Sequence, residues 1–344
     1  MTTIQEKPVA TQNTAYAYLV GRIRMLERGV LNGRILESAL KVEDVEQVVR
    51  IISELPYLSE ALQNIPKAPA PLDDALMSHF WETLKEVGRQ KLGKNLSLFF
   101  QYSFDFNDIK LIIKRHLAKK ASGREYPGTF DWKKVSHFVS GETGEHLSDV
   151  YRRAIEETLA VYESTHHVQI VELVLDRVYL QEVMNMAEIS ESPVIKNWLI
   201  AFFMFTFFRS AFRAKYQESK FELYRTIYFK NPYLSLEDLS DIITGPDEKI
   251  GEVLVHSGMK NILLGEGEYR NDPYYLAEIE KNMDNYLMRF IRPYRTLTFG
   301  PEPVFGFLYA KSIDIKNLRI LLHGKYFGIG ENELRNKLRE CYYE

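Results

Sequence analysis

Apolar residues return at intervals of three and four along most of the chain. Leu36, Leu40, Val45, Val48, Val49 and Ile52 follow that spacing, as do Ile170, Leu173, Val174, Val178 and Val183. A period near 3.6 places such residues on one face of a helix. No two alternating runs joined by a tight turn read as a β-hairpin. The pattern breaks at Pro66-Lys67-Ala68-Pro69-Ala70-Pro71, Tyr126-Pro127-Gly128, Gly245-Pro246 and Gly300-Pro301-Glu302-Pro303, where proline and glycine interrupt helices. The predicted class is all-α. One run, Trp198 to Phe208, is apolar without a polar face. As a helix it would span only about 16 Å against a bilayer core of about 30 Å, so it is predicted to be buried on every side rather than to cross a membrane.

The polar positions within these runs repeat. Ser103-Phe104-Asp105-Phe106-Asn107-Asp108-Ile109-Lys110-Leu111-Ile112-Ile113 and Ser312-Ile313-Asp314-Ile315-Lys316-Asn317-Leu318-Arg319-Ile320-Leu321-Leu322 keep one order of serine, aspartate, base and aliphatics. Aligning Lys215 with Lys325 yields a third copy, in which Arg209 falls under Arg319 while Met204 and Phe207 replace Asp314 and Asn317. Lys110, Arg209 and Arg319 therefore mark equivalent positions roughly a hundred residues apart, the period of a domain rather than the 20–50-residue step of a solenoid.

Upstream, Glu172 and Asp176 match Glu280 and Asp284, with a weaker echo at Asp73 and Met77. Short amphipathic stretches follow each motif at Asp131 to Val139, Leu236 to Ile243 and Glu331 to Leu338. Tyr16 to Arg24 followed by Asp44 to Ile52 looks like a further motif and follower at the N-terminal end, so the two ends are expected to pack together. The predicted domains are 1–101, completed by the C-terminal helices; 102–198; and 199–344, which carries those helices.

Asp105 and Lys110, like Asp314 and Arg319, are five positions apart, which at about 100° per residue separates them by roughly 140° around a helix. They cannot form a local ion pair. One reading makes Ser103 and Ser312 N-caps, the aspartates first-turn charges and the bases solvent-facing. The other directs Lys110, Arg209 and Arg319 at a shared axis or a partner, and these three are the candidate partner-binding residues.

Composition narrows the classes. The chain has 344 residues, 45% hydrophobic and 26% charged, with a net charge of −3. That balance offers no bulk attraction for nucleic acid. The basic cluster Lys110, Lys114, Arg115, His116, Lys119 and Lys120 falls at a predicted helix C-terminus, where cations complement the dipole. The single cysteine, Cys341, excludes an internal disulfide framework and fits a reducing compartment. Met1 to Thr14 is polar and carries no apolar core of the kind a secretory signal needs.

Candidate chemistry is sparse. Glu163-Ser164-Thr165-His166 has the spacing of a di-iron ligand pair, but a bundle site needs two copies and only one is present. One cysteine cannot build the usual zinc thiolate sites. Gly324-Lys325 is followed by Tyr326 and Gly93-Lys94 by Asn95, where a phosphate loop requires Ser or Thr. Gly265-Glu266-Gly267-Glu268 places acids where a phosphate needs donors. No nucleophile elbow is visible, and the 21 tyrosines and 20 phenylalanines follow core periodicity. No catalytic, cofactor-binding or metal-binding residues are assigned.

The stretch Tyr309-Ala310-Lys311-Ser312-Ile313-Asp314-Ile315-Lys316-Asn317-Leu318-Arg319 through Gly324-Lys325 to Leu338-Arg339-Glu340-Cys341-Tyr342 resembles the C-type connector of archaeal and bacterial V/A-type ATPases, whose counterpart in eukaryotic vacuolar enzymes is the d-type connector. Tyr18-Leu19-Val20-Gly21-Arg22-Ile23-Arg24 is similar to that family's opening helix, and Asp105 to Lys110 to its internal motif. The resemblance implies three similar helical domains in a funnel around a pseudo-three-fold axis. It further implies a non-catalytic connector at the cytoplasmic side of the membrane, peripheral and without a transmembrane segment of its own. Its partners would be the central-shaft subunits and the proteolipid rotor ring, between which it passes torque for ATP-coupled ion transport. Met204 and Phe207 depart from the motif and set the middle copy apart. The alternatives are a helical metalloenzyme using Glu163 and His166, or a general helical scaffold for soluble partners.

Overall fold

The computed structural model describes residues 8–56, 58, 62, 66–119, 131–142, 147–218, 220–270 and 272–344. The break at Tyr126-Pro127-Gly128, and Lys120 of the basic cluster, lie outside the described residues. Among the described residues every regular element is a helix, and the single β-bridge joins Asn32 to Tyr343.

The helices are α1 (Ala17–Leu26), α2 (Gly33–Lys41), α3 (Val45–Ile52), α4 (Pro69–Gly88), α5 (Lys91–Leu117), α6 (Trp132–Val139), α7 (Asp149–Thr165) and α8 (Gln169–Ile189). They continue as α9 (Pro193–Tyr216), α10 (Phe221–Tyr224), α11 (Leu236–Thr244), α12 (Asp247–His256), α13 (Lys260–Leu263), α14 (Pro273–Ile291), α15 (Glu302–Tyr326) and α16 (Glu331–Lys337). Their starts are written locally. Asn32 and Asp44 accept from the Ile35 and Gln47 amides, and Ser235 with Asp238 forms a reciprocal capping box on α11. The proline-rich breaks at Pro69 and Pro303 begin α4 and α15, since proline fits a first turn whose amides have no partner within the helix.

The described residues cluster as two compact units. The first draws on Met1–Leu98, Ser190–Trp198 and Ala277–Glu344, the second on Phe99–Ile189 and Leu199–Leu276.

In the first unit α15 is the core helix. Val304, Phe305, Leu308, Ile313, Leu318, Leu321 and Leu322 are all buried, and the helix packs against α1, α3, α4 and α16. Trp198 donates from its indole to the Leu287 carbonyl at 3.1 Å, with its ring edge-on to Phe305 and Tyr309. The two ends of the chain meet here: the Gly33 amide donates to the Tyr343 carbonyl at 3.0 Å, and Lys325 reaches the Leu40 carbonyl at 2.8 Å.

In the second unit α7 and α8 pack as a hairpin, with His166 in the left-handed region at the C-cap of α7. Its core is aromatic: Phe203, Phe207, Phe208 and Phe212 are fully buried, and Phe106 sits among Tyr102, Tyr151 and Tyr179. Among the described residues α9 alone is long and apolar enough to cross a bilayer, and 72% of its most apolar stretch is buried inside the protein. The helix is 24 residues and extends beyond the apolar run at both ends.

Two sequence readings are corrected. Ser103 and Ser312 are not N-caps. Each lies deep inside a long helix, α5 or α15, and its hydroxyl donates to the carbonyl three residues back, Phe100 or Tyr309, both at 2.7 Å. Asp105 and Asp314 are accordingly not first-turn charges; both are buried in mid-helix.

Candidate functional site

The repeated motif is where polar groups enter the cores. Asp105 turns inward and accepts from the Tyr151 hydroxyl at the start of α7. Asp314, its counterpart, accepts from the Leu31 amide at 2.9 Å and lies 3.8 Å from Lys311. Lys311 in turn donates to the Gly29 carbonyl at 2.9 Å. The segment leading into α2 is thus tied to α15 by a buried ion pair. Burial pushes the Asp314 carboxyl upward, opposed by Lys311, and holds Lys311 below its ordinary value. His79 of α4 is mostly desolvated, and this burial, with the charge of Lys311, lowers its imidazole to about 4.

The bases turn the other way. Lys110 donates to Asp176 at 2.5 Å, and Lys114, one turn on, pairs with Glu172. Arg319 grips both oxygens of Asp73 at 2.9 and 2.8 Å, and His323, one turn on, meets the same carboxylate at 3.0 Å. The two arrangements correspond in part: Lys114 and His323 each meet the first upstream acid, Glu172 or Asp73, whereas Lys110 takes the second, Asp176, and Arg319 shares Asp73 with His323. In each unit the motif helix is fastened to a helix bearing the upstream acids, α8 through Asp176 and Glu172, α4 through Asp73. Met77 stands in α4 where Asp176 stands in α8, so Asp73 alone meets both Arg319 and His323. A second correspondence lies at the motif ends. Lys215 reaches the Gly245 carbonyl beyond α11 at 2.6 Å, as Lys325 reaches Leu40 near the end of α2.

Arg209 differs. It is half-buried in α9, and among the described residues it makes no hydrogen bond or ion pair. Its charge is felt by the Tyr179 hydroxyl of α8, which burial pushes up, Arg209 counteracts and Asp176 reinforces. Two of the three predicted bases, Lys110 and Arg209, therefore bear on one face of α8; Arg319 belongs to the other unit.

The remaining candidates are dispersed. Glu163 and His166 are both exposed, with His166 edge-on to Tyr162, and among the described residues no three His, Cys, Asp or Glu side chains converge as a metal site. Gly324 is buried against Leu334, and Gly265 lies in a surface turn at φ 59°. A polar crevice of about 380 Å³ between α8 and the Phe229–Pro232 segment is bordered by Arg153, Glu182, Glu188 and Lys230, with no sequence motif attached to it. Sequence reasoning missed Lys311, His79 and Tyr179. A lysine in an apolar run and a tyrosine on a core stripe carry no signal of their own; only the Lys311–Asp314 spacing hinted at a pair.

These features define an all-helical protein in which the recurrent polar positions of a repeated motif fasten helices to one another. The chain belongs to the ATP synthase (C/AC39) subunit family, whose model matches residues 19–337. It is similar to the C-type subunit of the V-type sodium ATPase of Enterococcus hirae, with 22% identity over 325 residues, covering 91% of this chain and 97% of the relative. It is also similar to the C-type subunit of the A-type ATP synthase of Methanocaldococcus jannaschii, with 21% identity over 359 residues, covering 94% and 86%.

Proposed function

We propose that this chain is the non-catalytic connector of a rotary V/A-type ATPase, joining the central shaft to the proteolipid rotor ring and carrying torque between them. The observation that carries the reading is the family match across nearly the whole chain, in company with relatives that belong to a V-type sodium ATPase and an A-type ATP synthase. We further propose three similar helical domains, 1–101, 102–198 and 199–344, in a funnel around a pseudo-three-fold axis. The fasteners Lys110–Asp176 and Arg319–Asp73 support that arrangement, since in both the repeated base ties its motif helix to a helix bearing the upstream acids. Closely packed helix cores also suit torque transmission, because such interiors pass strain rather than absorb it. The protein would lie at the cytoplasmic face as a peripheral member of the complex.

The test is affinity purification of the tagged chain from gently solubilised membranes. Shaft and ring proteins should co-purify in fixed ratio. Recovery with soluble partners alone would favour the general scaffold, and a stoichiometric bound metal would favour the metalloenzyme.

A further inference from the structure

Residues 338–344 leave α16 without forming a helix, and the first unit holds them as a peptide site holds its ligand. Much of what holds them reads main chain. Asn317 of α15, fully buried, accepts from the Arg339 amide at 2.8 Å and donates to the Arg339 carbonyl at 3.0 Å, so one side chain serves both polar groups of one residue as a neighbouring strand would. Asn285 of α14 accepts from the Glu340 amide at 2.9 Å, and Arg295 donates to the Tyr342 carbonyl at 2.8 Å. The Gly33 amide at the start of α2 donates to the Tyr343 carbonyl at 3.0 Å.

Side chains add selectivity. Tyr342 is fully buried, in a hollow that exists because residue 306 is glycine: an added Cβ there would come within 2.7 Å of the Tyr342 hydroxyl. Arg295 lies 5.2 Å from the centre of the Tyr343 ring, and Arg292 donates to Glu340 at 2.8 Å and to Glu344 at 3.3 Å. The ligand that fits is therefore a non-helical peptide with a tyrosine in the hollow, a second aromatic residue after it and an acid two positions to either side. A buried aromatic anchor ringed by polar clamps is the usual layout of a binding hot spot.

We propose that α14, α15 and the start of α2 form a peptide-binding site whose ligand is the chain's own segment 338–344, and that this segment docks and leaves as one strap while the helices around it stay folded. Main-chain clamps do not depend on covalent continuity, so a free peptide of the same sequence fits the site once the tethered copy is weakened. In the intact chain the tethered copy wins through its high effective concentration. The inference is independent of the connector reading.

Two measurements on the full-length chain test it. In wild type, hydrogen exchange at the Arg339 and Glu340 amides should proceed by local opening, about tenfold or more faster than at core amides of α15 such as Leu318 and Leu321. Exchange at the core rate would overturn the proposal. A labelled peptide of residues 338–344 is then titrated by fluorescence anisotropy, under reducing conditions, against wild type, Tyr342→Ala and Tyr342→Ala/Asn317→Ala, with a thermal melt of each. Tyr342→Ala should capture the peptide. Wild type should bind it about tenfold or more weakly because its site is filled, and the double variant likewise because the main-chain clamp is gone. A folded Tyr342→Ala chain that ignores the peptide, or equal capture by all three proteins, would overturn the proposal. A Tyr342→Ala chain that does not fold would overturn it too, since the strap would then be inseparable from the core.

Discussion

Lys311 and Asp314 lie 3.8 Å apart on one turn of α15, both almost wholly excluded from solvent at 3% and 2% exposure. Each also holds the segment between α1 and α2, Lys311 at the Gly29 carbonyl and Asp314 at the Leu31 amide. Removing one member leaves the other buried with its charge uncompensated. Lys311→Met should therefore destabilise the protein by about 3–5 kcal/mol. The double variant Lys311→Met/Asp314→Asn, which keeps the acceptor for Leu31, should cost less than the single change. Denaturant midpoints of the four proteins in the cycle measure this. Additive losses would mean that the pair is not coupled.

His79 makes acid sensitivity a local property. Its imidazole is lowered from 6.5 to about 4 in the folded state, first by burial and then by Lys311. The unfolded chain takes up a proton below about 6.5 that the folded chain refuses until about 4. The stabilisation from keeping His79 neutral is thus complete above pH 6.5 and is lost as pH falls toward 4, a total of roughly 3 kcal/mol. His79→Gln should flatten the fall in stability between those two values relative to wild type. Unfolding free energies at pH 7, 5.5 and 4.5 compare the two slopes, and parallel slopes would count against a neutral buried His79.

The C-terminal residues should be integral to the first unit. Leu334, Leu338 and Tyr342 are buried, and an added Cβ at Gly324 would come within 2.1 Å of Leu334 Cδ2. Each aliphatic side chain lost from such a site costs about 1.5–3 kcal/mol. Removing residues 325–344 should lower the melting temperature by many degrees, and Leu334→Ala alone should lower it measurably. An unchanged melting temperature after truncation would detach the C-terminal helix from the core.

The helical class was readable because burial imposes a 3.6-residue period on apolar positions, and the proline-rich breaks were readable because proline starts the helices that follow. The repeat exposed the bases, and the five-residue spacing correctly separated the aspartate from the base. The serines misled. A hydroxyl that caps a helix start can equally donate back to a carbonyl in mid-helix, and only the helix length, 27 residues for α5 and 25 for α15, decides between them. Nor does local sequence show which residues lie across a seam. Asp105 meets Tyr151 and Arg319 meets Asp73 through contacts distant along the chain, so the partners of the aspartates and bases emerge only from the fold.

Gly300 sits at φ 97°, where a side chain is strained, and an added Cβ would fall 2.2 Å from the Thr11 carbonyl and 2.4 Å from Glu302 Oε2. The crowding has a purpose in the packing. Glu302, fully buried in the first turn of α15, accepts from the Thr11 amide and from the Ser192 hydroxyl, both at 2.7 Å, and so gathers three distant segments of the first unit. Gly300→Ala combines backbone strain with a clash against the Thr11 backbone carbonyl and crowding of the buried Glu302 carboxylate, and should cost more than the ~1 kcal/mol of an ordinary left-handed glycine replacement. Ser192→Ala removes one donor to the same carboxylate and should cost about 1–3 kcal/mol. Because both changes act through Glu302, their combined loss should fall short of the sum. Chemical denaturation of the two single variants and the double variant tests the coupling, and a strictly additive result would separate the Thr11 contact from the Ser192 contact.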